Sequence, residues 1–264
     1  GKDLSLPADV EVNQQYIYVV DGTNHRVVAF NHQGRFAFSI GDDSEAGILF
    51  SYPVGMSSYE NRIFVADTGH HEVKVFDLQG KPVGSVKISA EGQPERPIDV
   101  AISQNGTEFF VTCNNTQQIQ VYNMHGKLLR KWGEQGTKQG TFRYPGTINN
   151  IGNHSKVVID VLNARAQVFS NSGKFIRIIG GQGVVAGKLF RPKGVAVDHK
   201  DNIYISDSYM ELIQVFDSEG KFLYVLGNND KIRRFSAPAG IAIYKDRLYV
   251  SEVLGNKVSV YSLR

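Results

Sequence analysis

The chain has 264 residues, 41% of them hydrophobic and 21% charged, with a formal net charge of +3. This composition fits a globular protein with room for one large all-β domain or two ordinary ones. No apolar run approaches the ~18 residues a membrane span needs, no signal-peptide pattern opens the chain, and the single cysteine excludes a disulfide framework or a Cys-rich zinc site. That cysteine, Cys113 in "EFFVTC", reads as a small buried hydrophobe.

Taken from the N-terminus, one pattern recurs six times. A proline opens each unit, at Pro7, Pro53, Pro97, Pro145, Pro192 and Pro238. A short strand a follows, such as "GVAVD" or "GIAIY". Strand b reads "YIYVV", "RIFVA", "EFFVT", "KVVI", "NIYIS" and "RLYVS" in turn. It ends at Asp21, Asp67, Cys113, Asp160, Asp207 and Glu252, with spacings of 46, 46, 47, 47 and 45. Strand c ("RVVAF", "EVKVF", "IQVY", "RAQVF", "LIQVF", "KVSVY") leads into a glycine turn at Gly34, Gly80, Gly126, Gly173 and Gly220, and strand d follows. Alternation with period two, rich in Val, Ile, Tyr and Phe, is the signature of half-buried strands. At the c–d turn, Asn31, Asp77, Asn123, Ser170 and Asp217 stand three residues before the glycine. A short polar side chain there caps a type I turn, and the glycine supplies the left-handed conformation of a bulged hairpin.

A four-stranded unit of about 45 residues has two apolar faces and cannot be stable alone. Radial stacking covers both faces, so the expected fold is all-β, a six-bladed β-propeller spanning 1–264. The expected repeats are 7–52, 53–96, 97–144, 145–191, 192–237 and 238–264. Unit six ends on strand c, so its last blade is incomplete, with closure near the N-terminus; upstream residues are expected to supply the missing strand.

"RPKGVAVDHKDNIYISDS" with "IQVFDSEGKFLYVLG", and "NQQYIYVVDGTNHRVVAFNHQGRF", resemble the repeat of the NHL propellers. The resemblance covers essentially the whole chain and implies a protein-binding platform, an RNA-binding domain or an extracytoplasmic module. Related propellers carry a zinc-dependent amidating lyase or a lactonase metal in the central channel. The family's D-x-x-N-H-R pattern implies a pair between the Asp and the residue five positions on. Here Asp21/Arg26, Asp160/Arg165 and Glu252/Lys257 carry opposite charges. Cys113/Gln118 is neutral, and Asp67/Glu72 and Asp207/Leu212 leave their aspartates without that partner. His25, His70 and His71 form no set of three converging imidazoles, and the lyase motif P-H-G is missing.

Two positions after each proline stand Asp9, Gly55, Asp99, Thr147, Gly194 and Gly240. Small residues suit strands crowding a central axis. Asp9 and Asp99 depart from that rule and flank unit two, where Asp67 lacks its partner. These three carboxylates are the candidate metal ligands, for Ca²⁺ in the channel. A metal-dependent hydrolase or lyase there is one alternative function, although "TINNIG" supplies only Asn149 and Asn150 as partners.

The leading expectation is a non-catalytic interaction scaffold. The d–a loops and b–c turns share one face. In units one to three those turns are polar: "DGTNHR", "DTGHHE" and "CNNTQQ". Units four to six carry Val161, Leu162, Tyr209, Met210, Val253 and Leu254, and loop four adds Val184 and Val185. Arg143, Arg165, Arg191, Lys193, Arg233 and Arg234 surround them, whereas loop one, "GDDSEAGILFSYP", is acidic. An apolar patch ringed by cations on half a face has the composition of a protein or peptide docking site. RNA binding on the basic half is the second alternative. Sequons at Asn105, Asn114 and Asn153 fit an exported or a cytoplasmic protein; a periplasmic home is the working expectation.

Overall fold

Each of the six prolines begins an inner strand: Pro7–Val12, Pro53–Tyr59, Pro97–Ile102, Pro145–Ile151, Pro192–Val197 and Pro238–Tyr244. The first residue of a strand is where a missing N–H does least harm to the ladder. The computed structural model describes residues 3–41, 50–228 and 231–263. In it, strands b run Ile17–Asp21, Arg62–Asp67, Glu108–Cys113, Ser155–Asp160, Ile203–Asp207 and Arg247–Glu252. Strands c run Arg26–Phe30, Glu72–Asp77, Gln118–Asn123, Arg165–Ser170, Leu212–Phe216 and Lys257–Ser262. Strands d are Phe36–Ile40, Pro82–Lys87, Leu128–Trp132, Phe175–Gly180 and Phe222–Val225. Blades 1 to 5 are four-stranded sheets in the order a–b–c–d, and blade 6 is a three-stranded sheet, a–b–c. The chain is an all-β six-bladed propeller. Among the described residues no helix is long and apolar enough to cross a membrane.

What holds the ring is sheet-to-sheet burial. Six apolar clusters occupy the six blade interfaces. Tyr18, Val20 and Ile40 of blade 1 meet Met56, Ile63 and Val65 of blade 2. Equivalent clusters join blades 2 and 3, 3 and 4, 4 and 5, and 5 and 6. The ring closes where Val10, Val12 and Val19 of blade 1 pack on Ala242 and Tyr249 of blade 6. Each fully buried Val, Ile or Phe contributes roughly 1.5–3 kcal/mol, so every interface is a substantial core by itself.

The c–d turns work as the pattern predicts. Asn31 Oδ1 accepts the amides of Gln33 and Arg35, and Asp77, Asn123 and Asp217 repeat this with their own followers. The turn glycines have φ between 75° and 91°. The b–c turns are stricter. The residue four after the end of strand b is left-handed in every blade: His25, His71, Gln117, Ala164, Glu211 and Asn256. None is glycine, so this backbone is strained and depends on the polar groups that hold the turn.

Candidate functional site

Those groups are buried carboxylates beneath the turn face. In blades 1 and 4, Asp21 and Asp160 pair with Arg26 and Arg165 at 2.7 Å. Each also accepts one amide of the preceding loop, from Ser5 and Arg143. In blade 6, Glu252 pairs with Lys257 at 3.5 Å and accepts the Ser236 amide. Where the pairing residue is missing, more donors move in. Asp67 accepts the Ser51 and Tyr52 amides and meets Lys74 Nζ at 3.1 Å and His70 Nδ1 at 2.7 Å. Asp207 accepts four amides, from Phe190, Arg191, Tyr209 and Met210. Blade 3 has Cys113 at this position, and Glu95 from the preceding loop serves instead, accepting the amides of Arg96, Asn115 and Thr116.

This corrects two expectations. Asp67 is not a channel residue: it is fully buried beneath the blade 2 turn and is partnered by Lys74 and His70. Asp67, His70 and Glu72 place ligand-type atoms within 4.8 Å of one another, but Lys74 bridges both carboxylates and Lys87 pairs with Glu72 at 2.8 Å. The cluster's charge is already balanced. Asp207 likewise needs no cation, because oriented N–H dipoles solvate it.

The channel itself is built by alternate residues of the strands a. A cavity of about 210 Å³ on the axis is lined by Asp9, Glu11, Ser57, Ser58, Asp99, Thr147, Asn149 and Asn150 among others. Asp9 and Asp99 each bridge two blades. The Asp9 carboxylate accepts the Met56 amide of blade 2 at 2.9 Å and lies against Gly240 of blade 6, where a Cβ would come within 2.1 Å of Oδ1. Asp99 accepts the Ile148 amide of blade 4 at 2.9 Å and covers Gly55 of blade 2, where a Cβ would come within 2.2 Å. Gly55 and Gly240 are therefore glycine because a neighbour's carboxylate occupies the side-chain space. Glu11, at a position the proline-based repeat does not mark, lies two residues along the same strand face as Asp9. Its Oε1 accepts the Ser58 amide and hydroxyl at 3.0 and 2.6 Å. Burial pushes the Asp9 and Glu11 carboxyls up to about 7. Asp99 is raised well above the ordinary carboxylate range, by burial first and by the Asp9 charge second. Asn149 and Asn150 tie blade 4 to its neighbours through the Val195 and Ile102 carbonyls.

On the turn face, Leu162 (61% exposed), Tyr209 (58%), Val184 (61%), Val185 (65%) and Leu254 (70%) all face solvent. Phe190 packs against Tyr209 in a tilted pair with ring centroids 4.2 Å apart, and the Leu6 amide donates to Asn256 Oδ1 in the blade 6 turn. Phe190 and Leu6 are thus part of this surface, although neither stood out in the sequence. Arg143, Arg191, Arg233 and Arg234 are exposed; Lys193, Met210 and Val253 are half-buried. Two expected surface residues are not there. Val161 is 7% exposed and belongs to the core between blades 4 and 5. Arg165 is buried, its guanidinium spent on Asp160 and on the Thr137, Lys138 and Thr141 carbonyls. Tyr52, 55% exposed on blade 2, is an apolar residue outside the expected half. The acids expected in loop one, Asp42, Asp43 and Glu45, lie outside the described residues.

A family model described as a 6-bladed beta-propeller matches residues 136–230. No curated protein matches the chain significantly. Among solved structures, a protein of unknown function from Bacteroides thetaiotaomicron is similar at TM-score 0.79 and 13% identity, covering 98% of this chain and 70% of that one. A gluconolactonase of Xanthomonas campestris gives TM-score 0.76 and 13% identity over 99% of this chain and 88% of its own. A chain of a nidogen–laminin complex gives TM-score 0.69 and 14% identity over 91% and 87%. At such identities the likeness is one of fold.

Proposed function

We propose that the chain is a non-catalytic interaction platform whose turn face over blades 4 to 6 docks a protein or peptide. One observation carries this reading: the exposed apolar side chains of the b–c turns fall on Leu162, Tyr209 and Leu254, in three consecutive blades, while the same turns of blades 1 to 3 are polar. An apolar centre with a cationic rim is how docking surfaces divide the work: desolvated anchors give affinity and rim charges orient the encounter. Arg143, Arg191 and Arg234 supply that rim, which favours a partner with an apolar centre and acidic flanks. The rigid ring beneath presents the anchors with little entropy to lose on binding. The resemblance to NHL repeats and the nidogen–laminin neighbour are in keeping with this reading.

The test is a photo-crosslinking residue placed at Leu162, Tyr209 or Leu254, and at Thr116 in blade 3 as a control, in the source cells. A protein captured from the first three positions but not from Thr116 supports the docking face. Equal capture from all four, or none, overturns it. Capture that vanishes on ribonuclease treatment transfers the surface to RNA.

A further inference from the structure

Most cations near the turn face are already neutralised. Arg26, Lys74, Lys87, Arg165 and Lys257 each pair with a carboxylate of their own blade. At the seam between blades 4 and 5 three are not: Arg143, Arg191 and Lys193 make no side-chain hydrogen bond or ion pair among the described residues. The nearby acids are spent. Asp160 holds Arg165 and the Arg143 amide, and Asp207 is taken up by four backbone amides. Exposed Glu211 of the blade 5 turn pairs with none of the three. The apolar anchors stand among these cations. The Leu162 amide donates to the Arg143 carbonyl at 3.0 Å, and Phe190, next to Arg191 in the chain, packs against Tyr209. Thr147 of blade 4 donates its hydroxyl to the Lys193 carbonyl of blade 5 at 2.7 Å, which places Lys193 at the seam itself. One residue after the proline, the other blades carry Ala8, Val54, Ile98, Gly146 and Ala239, so Lys193 is the only charged residue at that position. It is half-buried, whereas Arg143 and Arg191 are exposed. Burial first and the Arg191 charge second hold its ammonium below the ordinary lysine value. A half-buried cation without a partner is a cost that an incoming anion removes.

We propose that Lys193, flanked by Arg143 and Arg191, is a carboxylate subsite inside the docking face: the partner is a peptide segment that sets an Asp or Glu side chain on Lys193 and a neighbouring apolar side chain against Tyr209 and Phe190. This rests on the docking reading above and names the chemistry that it selects. A carboxylate suits the seam better than a nucleic-acid backbone, which needs a track of cations with stacking platforms along it. Here three unpaired cations stand at one seam, and the turns of blades 1 to 3 are polar. Because Lys193 is half-buried, its ion pair forms largely out of water and governs how long the partner stays. The exposed Arg234 governs how fast it arrives.

The experiment pans a phage-displayed library of random dodecapeptides on the immobilised chain and discards clones that also bind the Leu162→Asp/Tyr209→Asp/Leu254→Asp variant. The dominant peptide is synthesised with its acid intact and as the amide, and its association and dissociation are timed on wild type, Lys193→Met, Lys193→Arg and Arg234→Met. The expected peptides carry Asp or Glu within a few residues of Leu, Phe or Trp. Lys193→Met should weaken binding about thirtyfold or more, chiefly by faster dissociation. The amide peptide should lose as much on wild type but little on Lys193→Met. Arg234→Met should instead slow association. The Lys193 side chain makes no bond within the chain, so Lys193→Met keeps the fold, and Lys193→Arg should keep the slow dissociation. Selected peptides without an acid, or an amide peptide that loses as much on Lys193→Met as on wild type, overturn the subsite and leave the docking face standing. Tighter binding of a uridine dodecanucleotide that displaces the peptide also overturns it, in favour of phosphate. If no clone separates wild type from the triple variant, the docking reading falls and the subsite falls with it.

Discussion

Glu95 does for blade 3 what Cys113 cannot: its carboxylate, arriving from the preceding loop, accepts the Asn115 amide at 2.6 Å and the Thr116 amide at 3.1 Å, beside the buried thiol. The other five blades draw this carboxylate from the end of strand b itself. The turn requires an anion under it, and the backbone position that supplies it is negotiable.

Glu95→Ala should therefore destabilise the protein on the order of 3 kcal/mol, the cost of leaving buried amides unpaired. Cys113→Ala should cost less, since it removes one small apolar group. The double variant Glu95→Ala/Cys113→Asp should recover part of the loss, giving a coupling energy in a denaturation cycle. Strict additivity would show that the two sites are independent.

The turn glycines make a second prediction. Gly220 has φ 82°, and a Cβ there would meet the Ile179 side chain at 3.0 Å. Gly220→Val should cost about 1–3 kcal/mol in urea denaturation, more than a typical surface change of about 0.5 kcal/mol.

Docking anchors and core should separate cleanly. The triple variant Leu162→Asp/Tyr209→Asp/Leu254→Asp alters side chains that face solvent, so its Tm should stay close to wild type. Val161→Asp, one position from Leu162, places a charge in the core between blades 4 and 5 and should prevent folding or lower Tm sharply. Circular dichroism melts of the two proteins decide this.

Acidity acts through the channel. Burial raises Asp9 and Glu11 to about 7 and holds Asp99 well above the ordinary carboxylate range, so folding favours their protonated forms. Their stabilising contribution is complete below the unfolded carboxylate value, near 4, and is lost as pH rises through 7. Asp99→Asn should therefore gain stability over wild type as pH goes from 5 to 8, measured by urea midpoints. A difference independent of pH would mean that Asp99 ionises freely.

Lys156 gives the opposite case. It is buried over the Phe110 ring, 4.1 Å from its centroid, and bonds Asn171 Oδ1 at 2.7 Å. Burial pulls its ammonium down to about 8, so the neutral form is favoured on folding. The stability this provides is present above the unfolded value near 10.4 and is lost as pH falls through 8. Lys156→Met should be neutral or stabilising at pH 7 and should flatten stability between pH 8 and 10.

The sequence by itself determined the ring. Its six prolines, the recurring end of strand b and the turn glycines are local signals, because a strand start, a turn cap and a left-handed glycine are each satisfied within a few residues. The pairs Asp21–Arg26 and Asp160–Arg165 were legible for the same reason: five residues separate partners on adjacent strands. Tertiary structure alone decided what crosses from blade to blade. Glu95, which reaches under the blade 3 turn from the preceding loop, and the carboxylates resting on Gly55 and Gly240 are such contacts, and Asp9 and Gly240 stand far apart in the chain, at opposite ends of the ring closure. Periodicity says which face of a strand a residue occupies; it cannot say what the neighbouring blade places opposite. Val161 and Leu162 show the limit most plainly. Both are apolar residues of one turn, and only the fold sends the first into the core and leaves the second in water.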